Sequence, residues 1–373
     1  MKNLFATAML AFVLACTHET KMPELIPAEN FAKEVNGKTV QLYTLKNSHG
    51  MVAQITNFGG KVVALWTPDK NGDFDDVVLG FNTIDEYLET SEKYFGSLIG
   101  RYGNRIANGQ FTLNDTVYTL AKNNGNNALH GGITGFNNVV WDVERYDDRL
   151  LLLNYLSPDG EEGYPGNLKV NVLYQLTEEN ELRIEYRATT DKATPVNLTH
   201  HSFFNLNGAG NGNVLDHVAQ INADRYTPVD ETLIPTGELA PVAGTPLDFR
   251  EPTSIGERID ADFDQLKLAK GYDHNYVLNA GDEVLVFAAR VSAPETGRTM
   301  EVYTNEPGVQ FYTGNFLGGG AVGKEGIPYP FRGAFCLETQ HFPDSPNKPE
   351  FPSTILNPGK KYFSVCVYQF GVE

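Results

Sequence analysis

Leu168, Val170, Val172, Tyr174 and Leu176 occupy alternate positions, with Lys169, Asn171 and Gln175 between them. Beyond the turn residues Glu178-Glu179-Asn180, Leu182, Ile184 and Tyr186 alternate with Glu181, Arg183, Glu185 and Arg187. A period of two on both arms predicts a β-hairpin with one face on a core and one in water. Shorter apolar runs begin near Thr39 and recur at Val52 to Thr56, Val62 to Trp66 and Val77 to Leu79, separated by Gly, Asn and Asp. Val284 to Val291, Met300 to Thr304 and Tyr362 to Phe370 continue the series, and each reads as a strand. Helical signals are few. Thr83-Ile84-Asp85-Glu86-Tyr87-Leu88 predicts one short helix, with Thr83 as cap and Glu86 three residues on. Many short strands without linker-like composition after residue 30 predict an all-β chain, a β-sandwich or barrel with few short helices, forming a single domain over residues 31–373.

Composition sharpens this picture. The 36 glycines and 20 prolines among 373 residues exceed the usual combined share of about 12% and suit a turn-rich β protein. A formal charge of −18 excludes a nucleic-acid partner, which needs clustered Lys and Arg. It reads as a soluble, self-repelling surface. The chain carries 18 tyrosines and 22 phenylalanines. Burial is the common use of such rings, and stacking on sugar faces is the other.

The N-terminus reads as a processing signal. Lys2 precedes an apolar run from Leu4 to Ala15, too short to span a membrane. The run ends Val13-Leu14-Ala15-Cys16, which resembles a bacterial lipoprotein cleavage site. On that reading residues 1–15 are a signal peptide, Cys16 becomes the lipidated first residue, and residues 16–30 are the lipidated Cys and a polar tether. The alternative is an ordinary signal peptide with an incidental Cys. Either way the protein is exported, and on the first it is a periplasmic or membrane-anchored bacterial lipoprotein that meets the membrane only through Cys16. Cys336 and Cys366 lie inside apolar runs and are expected to be buried free thiols.

Several polar constellations carry candidate chemistry. The stretch Pro195-Val196-Asn197-Leu198-Thr199-His200-His201-Ser202-Phe203-Phe204-Asn205-Leu206 reads as a mostly buried strand holding two imidazoles. Histidine is the side chain suited to proton transfer near neutrality. On an extended backbone His200 and His201 point to opposite faces, so only one can serve a given pocket. Gly100-Arg101-Tyr102-Gly103-Asn104-Arg105-Ile106 offers Arg105 as a planar clamp for hydroxyls. In Asn126-Asn127-Ala128-Leu129-His130-Gly131-Gly132, two glycines after a His permit close backbone approach. Gly271-Tyr272-Asp273-His274-Asn275-Tyr276 and Gly308-Val309-Gln310-Phe311-Tyr312-Thr313-Gly314-Asn315 are further polar clusters. In Phe335-Cys336-Leu337-Glu338-Thr339-Gln340-His341, Glu338 interrupts an apolar run, and a carboxyl buried there needs partners or a raised pKa. Each cluster taken alone is equally well a satisfied buried polar group or a turn. His130, His201, Asp273 and Glu338 include no pair with local metal-ligand spacing, so the signal for a metal is weak. Asp273 and Glu338 also leave open a glycosidase pair.

Taken together and in order, these segments resemble the aldose 1-epimerase (galactose mutarotase) family. Thr227-Pro228-Val229-Asp230-Glu231-Thr232-Leu233-Ile234-Pro235-Thr236-Gly237 adds to the match, which runs from about Val40 to the C-terminus. The resemblance implies a large antiparallel β-sandwich, the galactose mutarotase-like supersandwich, with a sugar cleft and no cofactor. It implies anomer interconversion of free hexoses such as galactose and glucose, with His201 as general acid and Glu338 as general base. For that, Glu338 must be ionised while His201 is protonated. It implies substrate contacts from Asn104, Arg105, His130, Ser202, Phe203, Asp273 and Gln310, a small-molecule sugar as the partner, and a monomer or dimer. The family usually has Asn at His200 and often Tyr at Phe203. A non-catalytic sugar-binding module on the same fold is the competing reading, and an epimerase of phosphorylated sugars is a third. The pairing of Glu338 with His201 discriminates against a pure binder, which needs neither in acid–base register.

Overall fold

The computed structural model describes residues 20–279 and 285–373. Its largest element is a nine-stranded antiparallel sheet. The predicted hairpin lies inside it, as Leu168–Leu176 paired with Glu181–Thr190. Leu168, Val170, Val172, Tyr174 and Leu176 all point into the core, as do Leu182, Ile184 and Tyr186, while Lys169 and Arg187 are exposed. The strand Tyr362–Val372 follows in the sheet, then Arg298–Thr304 and Val286–Ser292. Of the predicted strand from Val284, that first residue lies outside the described residues. A five-stranded antiparallel sheet carries Ala223–Tyr226, Asp273–Leu278, Gly308–Tyr312 and Cys336–Gln340. A four-stranded sheet contains Val52–Thr56 and Val62–Pro68. One apolar cluster, reaching from Leu45 to Phe370, fills the space between the sheets. The fold is the all-β sandwich expected, with two short α-helices among the described residues, Ile84–Glu89 and Asp264–Ala269. The first has the predicted capping box between Thr83 and Glu86.

Two expectations need correction. Val77 to Leu79 is not a strand. Val77 bonds back to Leu65, Val78 bridges Phe204, and the Leu79 amide donates to the Phe203 carbonyl. Three successive residues change partner, so no ladder forms. The stretch 195–206 is likewise broken into short pieces. Thr194–Pro195 pairs with Ile355–Leu356, Thr199–His201 pairs with Ser97–Ile99, and Phe204 bridges Phe335. It threads between layers, which is why nearly every side chain in it is buried whatever its polarity.

The segment 100–106 contains two arginines with different duties. Arg101 is buried, and its guanidinium donates to the carbonyls of Ser157, Pro158 and Pro165 and to the Ser157 hydroxyl. Arg105 points into a cleft. Between them, the Tyr102 hydroxyl donates to the Phe342 carbonyl and accepts from the Ser345 amide, locking this segment to the loop after Gln340. Leaving a buried acceptor without a donor costs about 1–3 kcal/mol. Arg101→Ala strands several, so it should lower unfolding free energy by roughly 3 kcal/mol. Urea denaturation measures this, and an unchanged midpoint would show that Arg101 is not a structural brace.

Candidate active site

A cleft of about 560 Å³ opens at one end of the five-stranded sheet. Its floor comes from strands whose pleat sends alternate side chains to one side. Glu338 stands on Cys336–Gln340, opposite Gln310 on Gly308–Tyr312, which in turn pairs with Asp273–Leu278. His201 reaches the same floor from the Thr199–His201 strand. Arg105 pairs with Leu129, which brings the segments 100–106 and 126–132 together at the wall. The glycines after His130 act as expected. A Cβ on Gly131 would lie 1.9 Å from the Gly100 carbonyl oxygen, so only glycine fits there.

His201 Nε2 lies 3.5 Å from Glu338 Oε1. Both side chains are buried, and Glu338 Oε2 has no protein partner. Arg105 Nη1 lies 3.9 Å from Asp273 Oδ2, and Gln310 Nε2 donates to Asp273 Oδ1 at 2.6 Å. The Asn104 amide donates to His130 Nδ1 at 3.2 Å. Neutral His130 therefore carries its proton on Nε2. The His201 ring stacks with Phe203, with centroids 4.8 Å apart and planes at 21°, and with Tyr94, at 5.8 Å and 20°. His130 meets it edge-on at 5.2 Å.

Burial governs the protonation of this cluster. It pushes Glu338 well above the usual carboxyl range, the Asp273 carboxyl adds to that rise, and Arg105 opposes it. Asp273 is also raised by burial, with Arg105 and then Gln310 pulling it down. His201 is lowered to about 3 by burial, partly offset by a bond to its own backbone and reinforced by Lys61. His130 is driven well below its ordinary value by burial, then by His201 and Arg105. Burial thus disfavours the charged form of both His201 and Glu338. That preference opposes the ionised pair that general acid–base work requires.

Of the residues singled out in the sequence, Asn104, Arg105, His130, His201, Phe203, Asp273 and Glu338 line the cleft. Two do not. Ser202 is buried, with its hydroxyl 2.6 Å from His200 Nε2 on the far face, so it holds His200 rather than a sugar. Gln310 sits behind Asp273 and orients it. His200 also approaches the Tyr174 hydroxyl at 3.5 Å, confirming that the two histidines face opposite ways. His274 faces the core beside Tyr226, and His341 Nδ1 lies 2.5 Å from Glu306 Oε2, outside the cleft wall. Tyr94, Leu268 and Phe316 line the cleft but were not foreseen. Tyr94 belongs to an unremarkable sequence, Glu92-Lys93-Tyr94-Phe95, and only its contact with His201 reveals it. Cys336 and Cys366 are free and buried, as expected. His130, His201 and Glu338 bring three ligand atoms within 4.8 Å of one another and form the set that could hold a cation. Asp273 lies outside that set.

The chain matches the family described as Aldose 1-epimerase over residues 41–369. It is 47% identical over 334 residues to the galactose mutarotase of Bos taurus, covering 90% of this chain and 95% of that protein. It is 41% identical over 340 residues to the aldose 1-epimerase of Escherichia coli K12, covering 91% and 97%. Among solved structures, the GalM/aldose epimerase homologue from C. elegans superposes with a TM-score of 0.83 at 30% identity, over 90% of this chain and 99% of the other. The galactose 1-epimerase from Lactobacillus acidophilus NCFM gives 0.79 at 29% identity, over 91% and 97%.

Arg105 opposes the rise in both buried carboxyls. Arg105→Met should therefore keep Asp273 and Glu338 protonated to higher pH. Infrared spectra of the folded protein measure this through the protonated-carboxyl C=O band. A band that disappears at the same pH as in the wild type would contradict the electrostatic role of Arg105.

Proposed function

The chain belongs to the aldose 1-epimerase family and is an isomerase, and from that premise we propose how its cleft interconverts the α and β anomers of free hexoses such as galactose and glucose. Glu338, as carboxylate, takes the proton of the C1 hydroxyl. The bond between C1 and the ring oxygen breaks, and its electron pair stays on that oxygen, which receives a proton from the His201 imidazolium. Rotation about C1–C2 presents the other face of the carbonyl. The ring then closes by the reverse transfers, so no group is consumed. The observation that carries this reading is the 3.5 Å approach of His201 Nε2 to Glu338 Oε1 on the cleft floor, with Glu338 Oε2 left free. Asp273, held by Gln310, receives sugar hydroxyls. Arg105 and His130 stabilise charge on the ring oxygen or the open-chain carbonyl. Asn104 lines the wall, and Phe203 supports the imidazole.

The proton inventory supports this division. Ring opening turns a carboxylate and an imidazolium into a carboxylic acid and a neutral imidazole. That neutral pair is the state favoured by burial. Sugar hydroxyls donating to Glu338, and the ring oxygen accepting from His201, favour the ionised pair on binding. Dry surroundings then favour its discharge during the step.

We also propose that residues 31–373 form one domain, supported by a core cluster spanning Leu45 to Phe370. A further proposal is export with lipidation at Cys16, supported by Lys2 and the apolar run from Leu4 to Ala15. Residues 1–19 lie outside the described residues. Among the described residues no helix is long and apolar enough to cross a membrane.

Three outcomes are expected. Glu338→Gln should lower the catalysed rate of glucose anomer exchange, followed by polarimetry, by about 10²–10⁴-fold. A wild-type rate would remove Glu338 from the mechanism. Because burial holds His201 near 3, kcat/KM should stay level through the ordinary histidine range near pH 6.5. It should fall on the alkaline side, where the pair loses its last proton. An acid limb centred near pH 6.5 would mean that an ordinary, solvated histidine controls the reaction. Finally, Cys16→Ala should move the protein from the detergent phase to the aqueous phase in phase-partition assays, with its glucose activity intact. Equal partitioning of the two proteins would exclude the anchor.

A further inference from the structure

Cys336 and Glu338 stand two residues apart on one strand, so their side chains leave the same face. The His201 ring stands between them. Glu338 Oε1 faces Nε2 at 3.5 Å, and Cys336 Sγ faces Nδ1 at 3.5 Å. Cys336 is fully buried and makes no disulfide. Burial, then the Glu338 and Asp273 carboxyls, push its thiol well above its ordinary value, so the sulfur is a neutral SH group at any pH of interest. Nothing in the anomer exchange described above uses it.

We propose that Cys336 is a positioning residue: its sulfur accepts a hydrogen bond from Nδ1–H of His201 and so reserves Nε2 as the nitrogen that gives and recovers the proton. The inference rests on the reading of His201 as the general acid. A neutral imidazole has two tautomers, and the partner of one nitrogen selects which is present. After His201 has protonated the ring oxygen, Nε2 must keep a bare lone pair to take the proton back. That requires the remaining proton to stay on Nδ1. The other tautomer would aim an N–H at the sugar where an acceptor is needed, and ring closure would stall.

The choice of sulfur has a chemical consequence. Histidines that must be held strongly basic usually give their second N–H to a carboxylate or a backbone carbonyl. A thiol is a weak acceptor. Beside the bond of the His201 ring to its own backbone, which favours the imidazolium, the thiol restrains orientation and tautomer while adding little further stabilisation. That suits a group whose proton must pass to an ether oxygen of very low basicity. The Phe203 and Tyr94 rings stack with the imidazole, and Cys336 and Glu338 restrain its two nitrogen edges.

The test uses the full chain with ¹⁵N-labelled histidine. Long-range ¹H–¹⁵N spectra at neutral pH report the tautomer of each ring, and His201→Gln assigns the His201 signals. Wild type should show His201 as the Nδ1–H form. Cys336→Ala should shift it toward the Nε2–H form and lower kcat for glucose roughly 10-fold, with KM within about two-fold. Cys336→Ser, which keeps an acceptor at that position, should restore the Nδ1–H form and most of kcat. An unchanged tautomer and kcat in Cys336→Ala would overturn the proposal. An equal loss in the Ser and Ala variants would do the same, since the side chain would then matter only for packing. If His201→Gln itself exchanges anomers at the wild-type rate, the reading of His201 as the acid fails. If it is inactive while Cys336→Ala is unaffected, only the role of Cys336 fails.

Discussion

The structure depends on keeping the Glu338 carboxyl out of water. A buried carboxyl with one oxygen lacking a protein partner is costly, and the surroundings of Glu338 are arranged around that cost. Arg105 lies close enough to pull its pKa down, yet Arg105 is shared with Asp273 at 3.9 Å and does not form a tight pair with Glu338. A direct ion pair would hold Glu338 permanently ionised and make it a poor proton acceptor. Leaving it unpaired in a dry site raises its basicity instead. The cost is a bias toward the neutral acid, which the substrate's own hydroxyls oppose. The same dryness depresses His201, so both partners are most comfortable uncharged. The proposed mechanism needs that property because it reaches the open-chain state by discharging the pair.

Strand geometry delivers these groups and separates them from look-alikes. His200 and His201 are adjacent, yet one contacts Ser202 and Tyr174 in the core and the other faces Glu338. Glu338 and Cys336 are two residues apart and share a face. Where the backbone is irregular the rule weakens. Arg101 and Arg105 are four residues apart, and an unbroken strand would put them on one side. The turn between them includes Asn104 at φ 64° and sends one to the core and the other to the cleft.

This explains what was legible in the sequence. The hairpin around Glu178-Glu179-Asn180 was readable because both arms keep a strict period and one face is wet. The helix capped by Thr83 was readable because its signals are local. The opposed directions of His200 and His201 followed from pleating alone. Sequence also identified the segments that converge, but not the rank of residues within them. Ser202 and Gln310 sit in the right motifs and miss the cleft, because a residue one pleat away, or behind an orienting carboxylate, looks the same in one dimension. Tyr94 was illegible for the opposite reason. Its segment carries no polar cluster, and its place depends on Ser97–Ile99 pairing with Thr199–His201, a contact between distant parts of the chain. The protonation state was least accessible. The family resemblance implies an ionised Glu338, whereas only packing reveals that burial opposes it.

Confinement of the His201 ring connects these points. Stacking by Phe203 at 4.8 Å and Tyr94 at 5.8 Å blocks tilting of its plane, while groups at both nitrogens oppose rotation within it. Phe203 does this with its ring alone and needs no hydroxyl. A ring so held has no useful motion left except loss and gain of a proton. For a reaction in which the sugar itself must open, rotate and close, the geometric freedom belongs to the substrate. In the proposed mechanism Glu338 then returns its proton to the C1 oxygen while His201 recovers its own from the ring oxygen, whichever anomer is formed, and one cleft serves both directions.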